Sequence, residues 1–235
     1  MPQKLPCRVL EVLSHGERVY SLFLQPELPA PRFLPGQFLH LALDEYTPGD
    51  FWPDSRTFSI ASAPVDRQQL RITYAVKGKF TTRMEAELHE GSRVWVKMPY
   101  GDFIIPADHD ICLLAGGTGV TAFTAFLAGL SPSTPQRIHL FYGARRPDLL
   151  IYRPLVQAAV QRCPGLHVTF FAEQDFAGTD YQPGRIEAVT VLASVPMPLA
   201  LTYYLAGPPG MIQALTAGLC QRGLAPGQII ADAWE

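Results

Sequence analysis

Short apolar segments separated by turn-forming residues occupy the chain up to about residue 104. This spacing is typical of an antiparallel barrel or sandwich, whose strands are short and joined by tight turns. A stretch of helix-compatible residues, 81–88, lies before the last of these segments. The predicted strands are residues 8–13, 19–24, 38–43, 57–61, 70–76 and 94–98. We therefore predict an antiparallel β-barrel that carries one helix.

Beyond residue 110 the pattern changes to strand-like apolar segments that alternate with helical ones. Alternation of this kind predicts a parallel sheet with helices packed on it. Pro106 and its polar neighbours interrupt the pattern, which predicts two domains, residues 1–104 and residues 105–235. The predicted strands are residues 111–115, 138–142, 168–172 and 203–205, and the predicted helices are residues 122–130, 155–162 and 211–220.

Residues 111–130 carry no charge and are long enough in principle to span a bilayer. Gly116, Gly117 and Gly119 interrupt this segment, however, and favour a buried strand, a tight turn and a helix. The first residues contain no apolar segment of the kind found in signal peptides. We therefore expect a cytoplasmic protein without a transmembrane segment.

Composition and charge narrow the function classes. Hydrophobic residues make up 48% of the chain, which is enough for a sizeable core. The formal net charge of -2 lacks the basic excess of a nucleic-acid-binding protein, so we expect no nucleic-acid partner. The four cysteines form no CxxC pair, which argues against a zinc ribbon or a ferredoxin-type iron–sulfur site. We expect reduced thiols.

Several catalytic motifs lack their required residues. Gly78-Lys79 resembles the end of a P-loop, but Thr73 stands where the first glycine of that motif would be needed. The chain has no GxSxG sequence and no HExxH sequence, so serine hydrolase and zinc peptidase chemistry are not indicated. We predict no metal site.

A glycine-rich turn at residues 115–122 follows an apolar strand and precedes a helical segment. Glycines allow the backbone to approach a diphosphate, and the free N–H groups at a helix start attract its negative charge. Gly117-x-Gly119-x-x-Ala122 matches the dinucleotide fingerprint in form. The acidic residue expected after the next strand is missing, since Tyr142-Gly143 stands there, which weakens an ordinary Rossmann dehydrogenase interpretation.

Six segments in a fixed order carry a resemblance to a known family. They are RTFSIAS at 56–62, Gly78 with Thr81, PYGDF at 99–103, the glycine turn at 115–122, YGAR at 142–145 and AGPPGM at 206–211. In this order they resemble the ferredoxin–NADP reductase superfamily over essentially the whole chain. The resemblance implies an N-terminal flavin-binding β-barrel joined to a C-terminal α/β domain that binds NAD(P)H.

The resemblance also implies roles for residues of the barrel. Arg56 offers a rigid fork for the diphosphate of FAD, and Phe58 is an aromatic plate for the isoalloxazine ring. Ser59 is expected to act in catalysis through a hydrogen bond near the flavin N5. Without the resemblance, Arg56 reads as a surface ion pair and Phe58 as a core residue. The further flavin contacts implied are Thr57, Tyr74, Val76, Gly78 and Thr81.

In the second domain the resemblance assigns the coenzyme site. Gly207-Pro208 is expected to lie under the nicotinamide, while Ala206 stands where many relatives have a cysteine. Trp234 is expected to cover the flavin face and to move when the nicotinamide enters; the alternative is an aromatic residue packed on the barrel. The other coenzyme contacts implied are Gly117, Thr118, Gly119, Thr121, Gly143, Arg145 and Met211.

Coenzyme choice is expected to depend on Glu173 and Asp175, because carboxylates accept hydrogen bonds from a ribose 2′-OH and repel a 2′-phosphate. NADH is therefore favoured, while Arg145 and Arg146 keep NADPH open. Six basic residues against three acidic ones between Arg71 and Lys97 give a local excess that suits an acidic redox partner or an ordinary solvated face.

The function implied is a flavoprotein that passes electrons from NAD(P)H through FAD to a separate acceptor. That acceptor is a ferredoxin, a flavodoxin, an oxygenase component or a haem protein. Two alternatives remain open, a flavin reductase that uses free flavin as a substrate and a non-catalytic electron-transfer subunit. The sequence does not indicate an oligomeric state.

Overall fold

The structure, a computed structural model, describes residues 2–106, 108–175 and 180–232. The chain divides into two compact units. The first consists of Met1–Ile104 together with Thr121–Ala125, and the second of Ile105–Val120 together with Phe126–Glu235.

The first unit is a nearly closed antiparallel barrel of six strands in the order β4-β3-β6-β1-β2-β5. Its strands are β1 Gln3–Ser14, β2 Val19–Pro26, β3 Phe38–Ala42, β4 Ser55–Ser59, β5 Leu70–Ala75 and β6 Arg93–Tyr100. The segment after β4 meets β5 through a hydrogen bond from the Ala61 N–H to the Arg71 carbonyl, at 2.8 Å. This contact brings the two end strands of the sheet together.

The barrel core is formed by side chains that alternate inward along the strands, as a half-buried sheet requires. Leu22 of β2, Leu39 of β3 and Ile72 of β5 are fully buried or nearly so. Helix α1, Lys79–Glu87, adds Phe80 and Met84 to the same cluster. The helix is thus fixed to the barrel by its apolar face, while Gly78 and Lys79 at its start stay exposed.

The second unit contains a parallel sheet in the order β10-β9-β8-β7-β11-β12. The central strands are almost entirely buried, as expected when helices cover both faces. Its strands are β7 Ile111–Gly116, β8 Ile138–Ala144, β9 Leu166–Ala172, β10 Gln182–Pro183, β11 Thr202–Ala206 and β12 Ile229–Asp232. Its helices are α2 Thr121–Gly129, whose residues 121–125 fall in the first unit, α3 Arg153–Arg162, α4 Ala188–Ser194 and α5 Pro209–Cys220.

The predicted fold class is confirmed, and the differences lie in single elements. Strand β4 covers Ser55–Ser59 rather than 57–61, because its pairing with β3 runs from Ser55 to Ser59. The short elements β10, α4 and β12 were not predicted, since each has too few residues to show a clear period. Within the described residues, no helix has the length and apolar character that a bilayer crossing requires.

Candidate nucleotide-binding sites

Arg56 of β4 lies beside the first turn of α1. Its guanidinium carbon is 5.3 Å from the centre of the Phe80 ring. Its Nη1 donates hydrogen bonds to Asp54 Oδ1 at 3.1 Å and to the Ser55 carbonyl at 2.8 Å. Within residues 2–106, 108–175 and 180–232, no hydrogen-bond acceptor engages its Nε–Nη2 edge. That edge is the geometry that binds phosphate through two parallel hydrogen bonds.

The first turn of α1 provides backbone N–H groups close to Arg56. The Thr81 hydroxyl oxygen accepts hydrogen bonds from the backbone N–H groups of Lys77 and Gly78, at 2.9 and 3.1 Å. The N–H groups of Lys79 and Phe80 belong to the first turn and have no partner inside a helix. A Cβ added at Gly78 would meet no atom within 4 Å, so the space over this turn is open. The turn thus offers an accessible anion site.

The predicted isoalloxazine contacts lie on β4 and at the end of β5. Thr57, Phe58 and Ser59 are half-buried. The Phe58 ring lies 5.9 Å from the Tyr74 ring. Tyr74 is only 3% exposed, and burial raises the pKa of its hydroxyl. Its side chain belongs to the barrel core. Its buried hydroxyl has no hydrogen-bond partner among the described residues. Val76 follows β5 and packs, half-buried, against the same core.

The glycine turn of the second unit lies at the switch point of the parallel sheet. Strand β7 has β8 on one side and β11 on the other, and Ala115 of β7 is in register with Ala206 of β11. Ligands of open α/β sheets bind beyond the carboxyl ends of the strands at such a point. Both Gly117 and Gly207 follow these carboxyl ends directly.

Close approach of the two turns explains their glycines. A Cβ at Gly119 would lie 2.5 Å from the carbonyl carbon of Ala206, and one at Gly207 would lie 3.0 Å from the backbone nitrogen of Gly116. Gly117 has a φ of 54°, in the left-handed region that favours glycine. We call the two facing turns, 116–119 and 206–208, the glycine cradle. The Met211 sulfur would lie 2.5 Å from a Cβ at Gly116, so Met211 fills the base of this cradle.

The other predicted members of this site lie around the same turn. Thr118 is half-buried in the short 3₁₀ turn that precedes α2, and Thr121, 5% exposed, is the first residue of α2. Pro208 is exposed directly before α5. Asp232 ends β12 and is in register with Ala206, which places it at the same sheet edge. Trp234 lies outside the described residues.

Charged residues lie at the carboxyl ends of β8 and β9, beyond Gly143. Arg146 donates two hydrogen bonds to Asp148, at 3.1 and 2.7 Å, and its Nε lies 3.6 Å from Asp175. Glu173 accepts a hydrogen bond from the Arg185 Nε at 2.8 Å. Arg145 precedes this cluster, and its carbonyl accepts the backbone N–H of Glu173 at 3.1 Å. The coenzyme-selecting residues predicted from sequence thus lie together at one sheet edge.

Sequence reasoning did not identify four residues of these clusters. Asp54 and Phe80 fix Arg56, while Asp148 and Arg185 pair with the charged groups beyond β8 and β9. Asp54 lies two positions before Arg56, which was a usable signal. The others are brought in by strand and helix packing. In the described residues, no cluster of three or more His, Cys, Asp or Glu side chains is placed to hold a metal.

Comparison with known proteins agrees with this architecture. Residues 113–217 match the model of the oxidoreductase NAD-binding domain. The chain is 29% identical over 209 residues to the ferredoxin–NAD(P)(+) reductase component of the naphthalene 1,2-dioxygenase/salicylate 5-hydroxylase systems of Ralstonia sp, covering 86% of this chain and 60% of that protein. The matched domain model covers most of the second unit, and the likeness to this reductase component extends into the first unit.

Other relatives and solved structures extend the likeness across both units. The reductase component of propane 2-monooxygenase from Rhodococcus jostii (strain RHA1) is 29% identical, covering 98% of this chain and 63% of that protein. The ferredoxin reductase in carbazole 1,9a-dioxygenase has a TM-score of 0.77 at 23% identity, covering 100% of this chain and 70% of that one. The FAD/NAD-binding domain of nitric oxide dioxygenase from Vibrio cholerae O1 biovar El Tor has a TM-score of 0.79 at 20% identity, covering 97% of each chain.

The curated relatives are longer than this chain. The chain spans 60% and 63% of the length of the two reductase components. For a flavohemoprotein of Bacillus subtilis (strain 168), which is 25% identical over 91% of this chain, the share is 55%.

Proposed function

We propose that the chain is an NAD(P)H-dependent flavoprotein reductase that passes electrons through FAD to a separate acceptor. The observation that supports this most strongly is that one chain combines two candidate phosphate sites of different construction. One is the Arg56 edge beside the first turn of α1, and the other is the glycine cradle at the switch point of the parallel sheet. A reductase that binds two nucleotides requires one site for each.

The residues of the first unit fit FAD. Arg56 and the N–H groups of Lys79 and Phe80 would hold its diphosphate, because all three present positive partial or full charge to open space. Ser59, half-buried at the end of β4, would donate or accept a hydrogen bond at the reactive edge of the ring. When bound, FAD takes up a hydride from NAD(P)H and releases its electrons to the acceptor.

The cradle of the second unit fits the coenzyme diphosphate. Gly117 and Gly119 leave the backbone uncovered, and the turn leads into a helix whose first N–H groups attract anions. Gly207 and Pro208 would support the nicotinamide. The chain's task is to bind and orient the coenzyme, since the hydride chemistry belongs to the two cofactors.

NADH is the proposed coenzyme. Asp148 and Asp175 together neutralise the Arg146 charge, so this arginine is already engaged where a 2′-phosphate would need it. Glu173 remains 35% exposed at its side chain and pairs with the Arg185 guanidinium. Its carboxylate has further lone pairs, which suit it to accept a hydrogen bond from a ribose 2′-OH.

The acceptor is proposed to be a separate oxygenase component, ferredoxin, flavodoxin or haem protein. Two relatives are reductase components of oxygenases, and their names carry the first of these suggestions. The basic excess between Arg71 and Lys97 supports an acidic partner less than the sequence suggested. Arg83 is paired with Asp44 and Glu87, and Arg93 is paired with Glu27.

Purification and two assays test this function. We expect a yellow protein with about one FAD per chain, and NADH oxidation by ferricyanide that depends on that flavin. A colourless protein that reduces added free FMN or FAD and releases it would support the flavin reductase alternative. A protein that retains flavin but shows no NADH- or NADPH-dependent ferricyanide reduction would support the non-catalytic alternative and contradict the proposal.

A further inference from the structure

The Arg56 side chain is fixed on two of its surfaces by residues of the first unit. Its guanidinium carbon lies over the Phe80 ring, within the distance at which a cation is attracted to an aromatic ring. One edge is bound to Asp54 and to the Ser55 carbonyl. The side chain is 55% exposed, and an arginine this exposed would otherwise sample several rotamers. The two contacts therefore set its direction.

Phe80 is itself held in place by the barrel core. It is 5% exposed and packs in the same cluster as Met84 and the inward strand residues. It is also the second residue of α1, so its backbone N–H belongs to the first turn. The Phe80 ring, held by the core, therefore positions the Arg56 guanidinium beside the N-terminal end of α1.

This arrangement brings two groups of positive charge to the same part of the first unit. The N-terminus of a helix carries positive partial charge, and a guanidinium carries a full positive charge. The Phe80 ring and the Asp54 carboxylate hold Arg56 beside this end of the helix. The guanidinium and the helix N-terminus, both positive, together form a preorganised site for a diphosphate. Both groups would bind it.

We propose that Phe80 is a positioning residue for the flavin diphosphate and acts through Arg56. This inference rests on the proposed function, since the diphosphate is that of FAD. The side chain of Phe80 lies in the barrel core and would act on the diphosphate only through the guanidinium. It holds the guanidinium so that the Nε–Nη2 edge faces the space over the first turn of α1.

A double-mutant cycle tests the inference, with FAD affinity measured by titration of the flavin-depleted protein. Phe80→Leu keeps an apolar core side chain but removes the ring face, and we expect FAD to bind about three- to fivefold more weakly. In the Arg56→Ala background the same change should have no further effect. Phe80→Tyr keeps the ring and should bind FAD within about twofold of the parent.

Phe33→Leu is the matched control, because Phe33 is also 5% exposed in the same core cluster. It should lower thermal stability about as much as Phe80→Leu and leave FAD affinity unchanged. If Phe80→Leu does not fold, Phe80→Met replaces it as a volume-conserving change without a ring.

An equal loss of affinity from Phe80→Leu in both backgrounds would overturn the positioning role and leave the proposed function intact. So would an equal loss of affinity in Phe33→Leu. Failure of the parent to bind FAD would overturn the proposed function, and the positioning role with it.

Discussion

The two units present their candidate phosphate sites by opposite means. In the barrel the site depends on side chains. The first turn of α1 offers only N–H groups, and Arg56, in contact with the Phe80 ring, adds a full positive charge. In the parallel sheet the site depends on missing side chains, since Gly119 and Gly207 lie where no Cβ fits. The first site is lost by removing atoms and the second by adding them.

This difference follows from the two folds. In the barrel, α1 follows β5 while Arg56 is on β4, so the arginine reaches the helix start from a different strand. A strand–turn–helix unit of a parallel sheet brings backbone N–H groups to the ligand by itself, provided that the turn is tight. Substitution of Arg56 should therefore change flavin binding with little effect on stability, whereas substitution of Gly119 should change both coenzyme use and stability.

Arg56→Ala should have the largest effect on a single ligand. We expect flavin affinity to fall by about 2–3 kcal/mol, because a charge-assisted bidentate partner is removed and the diphosphate is left poorly compensated. Thermal stability of the flavin-free protein should change little, since the Arg56–Asp54 pair is exposed. Flavin titration and thermal unfolding of the apoprotein measure the two quantities.

Arg93→Ala is the control for this change. Arg93 has the same 55% side-chain exposure, pairs with Glu27 at 3.1 Å and lies over the Trp95 ring at 5.4 Å, but it is on β6 rather than beside a helix start. It should bind FAD as the parent does. Full flavin occupancy in Arg56→Ala, with parent-like affinity, would remove Arg56 from the site.

Gly119→Ala should affect both stability and coenzyme use in the second unit. The added Cβ would lie 2.5 Å from backbone atoms of Ala206 and Gly207, which must move apart. We expect a loss of stability of about 1–3 kcal/mol and a fall of about tenfold in kcat/KM for NADH, with flavin content unchanged. Steady-state kinetics, flavin content and thermal unfolding test this together.

Gly129→Ala provides the comparison for that variant, because a Cβ at this position in α2 would meet no atom within 4 Å. It should leave kinetics unchanged and raise stability slightly, as alanine is the better helix former. Parent-like kinetics in Gly119→Ala would show that the turn tolerates a side chain and that close approach does not determine its sequence.

Much of the fold was predictable because local pattern and tertiary packing agree. The alternation of apolar strands with helical segments after residue 110 predicts the parallel sheet, and the glycine turn marks its first strand–helix junction. β12 was missed because Ile229–Asp232 is four residues long and gains its strand conformation from pairing with β11. Such pairing is a long-range property that no local period reveals.

The candidate sites were predictable to the extent that they use motif residues. Gly117, Gly119 and Gly207 were predictable because each lies between an apolar strand segment and a helical segment, where a tight turn requires glycine. The pairing of Arg56 with Phe80 depends on the register that brings β4 beside α1, and the pairing of Glu173 with Arg185 depends on the connection after β9. Which oppositely charged or aromatic residue faces a given arginine is set by packing, so the sequence left it open.

Removing the carboxylate charges that neutralise Arg146 should have a smaller effect, on coenzyme preference. The parent should prefer NADH, and the double change Asp148→Asn with Asp175→Asn should release Arg146 for a 2′-phosphate. We expect the ratio of kcat/KM for NADPH to that for NADH to rise about three- to tenfold. Flavin affinity should not change, because both residues lie in the second unit.

Asp180→Asn controls for loss of an arginine–carboxylate pair in the same unit, since Asp180 accepts a hydrogen bond from Arg153 at 2.9 Å. It should leave the coenzyme ratio unchanged. A parent enzyme that prefers NADPH by tenfold or more, about 1.4 kcal/mol, would instead identify Arg145 or Arg146 as the phosphate contact.

The smallest expected effect concerns the pH dependence of stability, which the histidines of the two units both influence. Burial, followed by the charges of His167 and Arg137, lowers the pKa of His139 in the second unit, and its ring stacks on His167 with centroids 5.2 Å apart. Burial also lowers the pKa of His15 and His40 in the first unit, with Arg71 and Lys97 adding to it. Each unfolded histidine then binds protons more readily than the folded one, so stability falls as pH drops below about 6.5.

His139→Gln should remove the contribution of the second unit to this acid-side loss. Thermal unfolding of parent and variant between about pH 8 and pH 5 should show a shallower decline in the variant, by a few degrees at most. His89→Gln, at an exposed histidine of the first unit, should follow the parent curve. Parallel curves for the parent and His139→Gln would place the acid sensitivity in the barrel, with His15 and His40, rather than in the parallel sheet.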